Sequence, residues 1–413
     1  MTTTINNEHK ELNFSSEREQ SQTCLNSAEH EKNQGRKVLN VPNLRFPEFQ
    51  GEWEKCTLSE VCKFHNGRAY KQSELLAAGK YRILRVGNFF TNDSWYYSNL
   101  ELEDNKYAQD GDLLYAWSAS FGPRFWKEEK VIYHYHIWKI DSFKNVDKEF
   151  MYHFLDLDSS KIKNEVQGGT MVHITKGNME KRAISYPSIN EQKKIAKLLS
   201  LLDERISTQN KIIEDLKKLK CAIIEKVYSE IQGKEYSYRQ LFDVVNERNK
   251  QIEYFNILSA SQEKGMVNRD DLNLDIQFER SNINTYKIVK KGDYVIHLRS
   301  FQGGFAFSDK LGVCSPAYTI LRPNSILEYG YLSNYFTSQR FIKSLVLVTY
   351  GIRDGRSINV DEWLRMKITI PPKEHQQYIV KVIGTFERKI EDEEAYAAHL
   401  SKQKQYLLRQ MFI

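Results

Sequence analysis

The sequence predicts a mixed α+β protein. Two α/β globular domains are joined by two long antiparallel helices that form a coiled coil, and the whole is a pseudo-twofold repeat. Two long stretches of helical periodicity, within 188–232 and 372–413, predict the helices. Their common register, at an offset of 184 residues, predicts the repeat. Short β-branched and aromatic runs broken by turn residues predict the two mixed domains that precede the helices.

The helices carry the strongest signal. In the first, Ile195, Leu199, Leu202, Ile206, Gln209, Ile213, Leu216, Lys220, Ile223 and Val227 alternate by four and three, the a/d seam of a coiled coil. The second repeats this with Ile379, Ile383, Phe386, Ile390, Glu393, Ala397, Leu400, Lys404, Leu407 and Met411. Both polar interruptions coincide, Gln209 with Glu393 and Lys220 with Lys404. Random amphipathic helices would share the period but not the interruptions, so this is one helix present twice. About 40 residues of helix extend about 60 Å, and the seams must be buried somewhere. The cheapest partner for each is the other copy, since the intervening domain lets the second helix fold back antiparallel. The alternative is two independent surface helices, each packed on its own domain.

The chain has 413 residues, room for two or three domains with proper cores. Its 40% hydrophobic and 28% charged residues are ordinary for a soluble protein, and a net charge of +6 permits a polyanionic partner without requiring one. No run reaches the length of a membrane span, and the N-terminal stretch lacks the order of a signal peptide. Five cysteines (Cys24, Cys56, Cys62, Cys221, Cys314) are odd in number and share no ligand spacing. A cytoplasmic protein without a disulfide framework or zinc site is expected.

In order, residues 1–40 are a polar tail, expected to be disordered or loosely docked. A first domain, 41–187, holds the runs YRILRVGNFF, DLLYAWSAS and KVIYHYHIWKI, turns at Asp110-Gly111 and Gly122-Pro123, and a helical piece at 147–158. It ends on Ile184–Pro187, with Asn190 as the expected cap of the central helix, 188–232. A second domain, 233–371, repeats the programme. YSYRQLFDVV echoes the segment around Leu58, Val61 and Phe64; Lys291-Gly292-Asp293 echoes Asp110-Gly111-Asp112; a helical piece is expected at 329–343; and Ile368–Pro371 closes the domain before the helix of 372–413. Between these anchored ends the two domains share little sequence.

Two diverged domains, each closed by such a segment and followed by a long helix, resemble the specificity subunit of type I restriction-modification systems. The resemblance covers about residues 40–413. Its marks are LRFPEF-x-GEW at 44–53, Ile184-x-x-Pro187 with Asn190-Glu191-Gln192-Lys193-Lys194-Ile195, and Ile368-x-x-Pro371 with Glu374-His375-Gln376-Gln377-Tyr378-Ile379. The second copy departs at His375, where the first has Glu191. The resemblance implies that each globular unit is a target-recognition domain reading one half of a bipartite site in double-stranded DNA. It implies that the helices set the half-site separation and dock two modification subunits, which carry S-adenosylmethionine and adenine methyltransferase chemistry. Restriction subunits, translocase-nucleases using ATP and Mg, would join for cleavage. The chain itself would be non-catalytic, with no cofactor of its own and no membrane partner.

The residues agree with a non-catalytic reading. There is no N/D-P-P-Y/F tetrad for adenine methylation, no G-x-G-x-x-G after a strand and no G-x4-G-K-S/T phosphate loop. Asp112 with Glu128-Glu129-Lys130 loosely resembles a nuclease carboxylate-lysine set. Its repeat counterpart, Asp293, is another Gly-Asp turn, and the matching downstream Ser308-Asp309-Lys310-Leu311 has no E-x-K. Asp112 is therefore expected to be a turn residue and 128–130 a solvated loop. His134-Tyr135-His136 could place two imidazoles on one strand face, but no third ligand completes a metal site, so half-exposed strand histidines are expected. A stand-alone metal-dependent nuclease and a coiled-coil scaffold whose domains bind peptides or sugars are the competing functions.

Sequence reading needs polar side chains presented from loops, with phosphate contacts setting register. In the first domain the candidates are Arg68 and Lys71 beside Gly67, then Arg82, Arg85 and Asn88, then Ser118, Ser120 and Arg124, with Lys176 for phosphate. In the second they are Arg248, Asn249 and Lys250, then Arg299, Ser300 and Gln302, then Arg353, Arg356 and Ser357. The last loop is the strongest, because glycines beside two arginines allow a close backbone approach. Tyr70, Trp117 and Phe301 are expected to serve the core rather than stack on bases.

Overall fold

A computed structural model describes residues 39–90, 92–118, 121–165, 173–261, 264–272, 280–297, 304–350 and 357–413. The polar tail up to residue 38 lies outside the described residues. The chain divides into two compact units, one of residues up to 204 with 402–413, the other 205–401. Both cuts fall inside the long helices, because each helix end is buried in a globular core.

In the first unit the order is β1 (Glu54–Thr57), α1 (Leu58–Val61), β2 (Lys63–Asn66), β3 (Tyr81–Leu84), α2 (Val86–Phe90), β4 (Tyr96–Ser98), β5 (Tyr107–Ala108), β6 (Leu113–Ala116), β7 (Gly122–Phe125), β8 (Val131–Tyr133), β9 (Ile137–Asp141), α3 (Lys148–Glu165), α4 (Lys176–Glu180), β10 (Ala183–Tyr186) and the start of α5 (Ile189–Glu230). The second unit takes the rest of α5, then β11 (Lys234–Ser237), α6 (Tyr238–Leu241), β12 (Phe242–Val245), β13 (Leu258–Ser261), β14 (Gly265–Asn268), β15 (Lys287–Val289), β16 (Tyr294–Ile296), β17 (Phe305–Phe307), β18 (Gly312–Cys314) and β19 (Thr319–Pro323). It continues through α7 (Gln339–Ser344), β20 (Thr349–Tyr350), β21 (Ser357–Ile358), α8 (Val360–Arg365), β22 (Lys367–Ile370) and α9 (Lys373–Met411).

The units share one topology. A two-stranded clasp closes each, β1 with β10 and β11 with β22, both antiparallel. A four-stranded sheet has the order β2-β9-β6-β7 in the first and β12-β19-β16-β17 in the second. The first unit adds a sheet β4-β3-β8-β5 with β3 parallel to β8. In the second unit that layer is split into the pairs β15·β18 and β13·β14, and a single parallel bridge, Ile257 to Val313, stands where β3 meets β8. Local chemistry repeats as well. The Thr57 N–H donates to Glu60 (2.6 Å) and the Ser237 N–H to Gln240 (2.9 Å), closing the same box at α1 and α6. Gly111 and Gly292 take φ of +81° and +93°, which glycine adopts without strain, and the next residues, Asp112 and Asp293, accept from the N–H of Gln109 and Lys290.

Two aromatic-rich cores lie behind the clasps. In the first unit, Trp53, Tyr115, Trp138 and Phe150 pack with Ile195 and Leu199 of α5 and with Leu408, Met411 and Phe412 at the end of α9. In the second, Tyr238, Phe242, Phe336 and Trp363 pack with Ile379 and Ile383 of α9 and with Ile224 and Tyr228 of α5. Within the second unit α5 and α9 pair antiparallel. Ile213, Ile390 and Ala397 form a buried cluster with Leu216 against it. The interruption Gln209 donates to the carboxylate of its own repeat partner, Glu393, and Lys220 meets Glu387 at 3.0 Å.

Three local expectations need correction. The buried stripe steps by one residue near the helix ends. Ile224 and Tyr228 are buried while Ile223 and Val227 are half-buried, and Leu408 is buried while Leu407 is half-buried. A strict heptad drifts against 3.6 residues per turn, and here the stripe follows the globular core. Asn190 is not the cap, because α5 already begins at Ile189. The piece 329–343 is not one helix. Gly330 sits at φ +72°, a tight turn spans Tyr335–Thr337, and α7 starts only after Ser338, whose hydroxyl accepts from the Phe341 N–H. Tyr331, Leu332, Phe336 and Phe341 are buried, and the breaks at Gly330 and Ser338 let the segment follow the core that they fill. The piece at 147–158 is helical as expected and runs on to Glu165.

Candidate nucleic-acid interface

The motif glutamines are structural clasps. Gln192 is fully buried; its carbonyl accepts from the Asp147 N–H (2.7 Å) and its amide donates to the carbonyls of Asn145 (2.9 Å) and Pro187 (2.8 Å). Gln376 does the same in the second unit, accepting from Glu328 (2.8 Å) and donating to Ile326 and Pro371 (3.0 Å each). Each ties the closing strand and a loop to the first turn of a long helix. The departure at His375 has a physical reason too. Glu191 is buried and held by Arg45 at 2.7 and 2.8 Å, from the 44–53 segment that the second copy lacks, and His375 is exposed. The sequence signal for this role is the recurrence of a glutamine at matching positions of the repeat, Gln192 and Gln376.

In the first unit the structure gathers Arg82, Arg85, Asn88 and Arg124 about α2 and the loop to β4. Arg82 lies over the Trp95 ring (4.7 Å) and pairs with Glu128 (3.0 Å). Arg85 lies over Tyr96 at 4.3 Å. Asn88 donates to the carbonyls of Asn92 (2.9 Å) and Ser94 (2.7 Å), and Arg124 donates to the carbonyl of Phe89. Arg68 is held away from this group by a two-pronged pair with Glu74 (2.7 and 3.1 Å), which raises its already high pKa. Lys71 is exposed. Lys176 pairs along its own helix with Glu180 at 3.4 Å. Ser118 is a correction: it is buried and bridges the backbone of His173, so its hydroxyl is no surface reader.

In the second unit Arg248 and Lys250 are exposed, and Arg248 forms a backbone bridge with Lys287. Asn249 between them is a second correction. It is 1% exposed, and its amide donates to the Tyr254 carbonyl (2.8 Å) and accepts from the Tyr254 N–H (3.2 Å), closing its own loop. The candidates Ser120, Arg299, Ser300, Gln302, Arg353 and Arg356 lie outside the described residues, and of Ser357 only the strand backbone is described.

The carboxylates set aside in the sequence are engaged. Asp112 meets Lys139 at 2.8 Å, and Asp293, buried, accepts two bonds from Arg322 at 3.0 Å each. Among the described residues no group of three His, Cys, Asp or Glu is placed to hold a metal ion, and no helix is long and apolar enough to cross a membrane. His134-Tyr135-His136 does not lie along a strand. The segment turns at 135–136, between β8 and β9, which brings the two imidazoles to 4.8 Å between centroids.

Comparison with known proteins gives a consistent picture. The sequence pattern of the type I restriction modification DNA specificity domain matches twice, over residues 50–218 and 233–400. The chain is 27% identical over 190 residues to the type I restriction enzyme MjaVIII specificity subunit of Methanocaldococcus jannaschii, covering 45% of this chain and 43% of that protein. It is 24% identical over 179 residues to the type I restriction enzyme EcoBI specificity subunit of Escherichia coli, covering 42% and 38%. The matches thus span less than half the length of these curated relatives. Among solved structures, the type I restriction-modification S subunit from M. genitalium is similar with a TM-score of 0.54 at 16% identity, covering 90% of this chain and 99% of that one. This last likeness is one of fold.

Proposed function

We propose a function from one premise: the chain belongs to the family of type I restriction modification DNA specificity domains. It acts as the DNA specificity subunit of a type I restriction-modification complex in the cytoplasm. Each globular unit reads one half of a bipartite site in duplex DNA, and α5 and α9 set the gap between the halves. The helices dock two modification subunits, and restriction subunits join that assembly. S-adenosylmethionine, ATP and Mg belong to those partners, and this chain supplies recognition rather than chemistry.

The observation that carries this reading is the double family match, which follows the in-register repeat of the helices. Two similar folds with diverged surfaces suit two unlike half-sites, and a paired seam with matched polar contacts suits a constant separation. The exposed or aromatic-backed cations Lys71, Arg85, Arg248 and Lys250 supply phosphate contacts that hold register.

The test is selection of a random duplex library by the purified complex of this chain with its modification subunits. A split motif with a constant gap is expected. Enrichment of a single uninterrupted motif, or binding indifferent to salt, overturns the reading, because phosphate contacts impose a steep salt dependence.

A further inference from the structure

At one corner of the first unit an aromatic stack runs from the core to solvent. Tyr115, fully buried, stacks on Trp138 with centroids 5.9 Å apart, and Trp138 stacks on Trp117 at 5.7 Å. Trp117 then meets His136 edge-on at 5.0 Å, His173 at 6.1 Å and Tyr135 at 6.2 Å. Tyr135 is 39% exposed at the tip of the turn, and His173 is exposed.

The turn is held from two sides. The Trp117 N–H donates to the His136 carbonyl (3.1 Å) and its indole N–H to the Tyr135 carbonyl (2.8 Å). From the other side, the Arg68 N–H donates to the Tyr133 carbonyl and the Tyr135 N–H to the Arg68 carbonyl, both at 3.1 Å. Gly67 permits this approach, since a Cβ there would lie 2.3 Å from the His134 carbonyl oxygen. A turn that merely joins two strands needs no such bracing. A turn that must present side chains at fixed positions does.

Charge decides what it presents them to. Burial, and then the neighbouring His136, push the His134 imidazole down to about 4; burial and then His173 lower His136. Neutral rings make poor phosphate ligands, but each offers one donor and one acceptor, which is what a base-pair edge displays in return. Of the neighbouring cations, Arg68 is already held by Glu74, and Arg85, which also acts on His134, lies over the Tyr96 ring.

We infer that Tyr135 and His136 are base-reading residues of the first unit, contacting base-pair edges, with Trp117 as the residue that positions them. The inference rests on the proposed DNA specificity function. The experiment uses the full chain assembled with its modification subunits and a random duplex library. Wild type should enrich a split motif, and exchange of residues 41–187 for those of another family member identifies the half read by the first unit. Tyr135→Ala, Tyr135→Phe and His136→Gln are then selected on the same library. One or two positions of that half should lose their preference, with binding to the original site down about tenfold. The other half and the slope of log affinity against log salt should stay unchanged. Retention of the full motif by all three variants overturns the inference. So does a loss equal for all sequences with a slope shallower by about one, the mark of a phosphate contact. A wild-type complex that selects no split motif refutes the specificity function itself and this inference with it.

Discussion

The amides of Gln192 and Gln376 each satisfy one N–H and two carbonyls; the bonds to Pro187 and Pro371 are buried and the others part-buried. Truncation strands three groups, one of them in a buried bond, so Gln192→Ala and Gln376→Ala should each cost about 2 kcal/mol, measurable by urea unfolding. His153 gives a pH prediction. It is fully buried, its ring meets Ser200 at 3.1 Å, and burial, then Lys404, push it down to about 3. The unfolded chain takes up that proton near pH 6.5, so between about 3 and 6.5 the unfolded state binds more protons. The contribution of His153 to stability is therefore full above 6.5 and should fall by about 1.4 kcal/mol for each unit below it. His153→Gln should remove that share of the slope from unfolding measured between pH 7.5 and 5, leaving the part carried by His134 and His136, which burial also lowers. A slope unchanged by the substitution would place the acid sensitivity elsewhere.

Among elements, the paired interruptions Lys220 and Lys404 are sequence equivalents with unequal surroundings. Lys404 is buried between Asp156 (2.9 Å) and Asp203 (2.7 Å). Burial pulls its pKa down, but the two carboxylates prevail and raise it. Lys220 is more open and has Glu387 at 3.0 Å. Lys404→Ala should cost about 3 kcal/mol by leaving carboxylates without their cation, and Lys220→Ala less than about 1. Equal losses on thermal unfolding would contradict this asymmetry. On the seam itself, Leu400 is 4% exposed while Leu216 is half-buried. Leu400→Asp should then cost about 4 kcal/mol and Leu216→Asp clearly less, because an unpaired charge is penalised by its depth.

For the whole molecule, the proposed function makes the long helices a spacer. Removing residues 210–216 together with 394–400 deletes one heptad from each and preserves the seam register. About 10 Å of helix is lost, about three base pairs of duplex, so the tolerated gap between half-sites should shorten by about that amount. A gap unchanged in library selection would remove the helices from any role in spacing. Exchange of residues 41–187 should alter one half of the motif and leave the other as it was.

The periodic and local features were legible in the residues alone. The a/d seam and the Gly-Asp turns at 111–112 and 292–293 depend on neighbours a few positions apart, which local spacing records directly, and the repeat at 184 residues and the closing segments before each helix show because both copies stand in one chain. Only the tertiary structure decided which polar groups remain available. Glu128 reaches Arg82 from 46 residues away, Asn249 turns inward to close its loop, and Trp117 braces a turn 18 residues on. It also decided that His134-Tyr135-His136 bends into a turn instead of lying along a strand. Such outcomes are set by long-range partners and by burial, which no local spacing encodes.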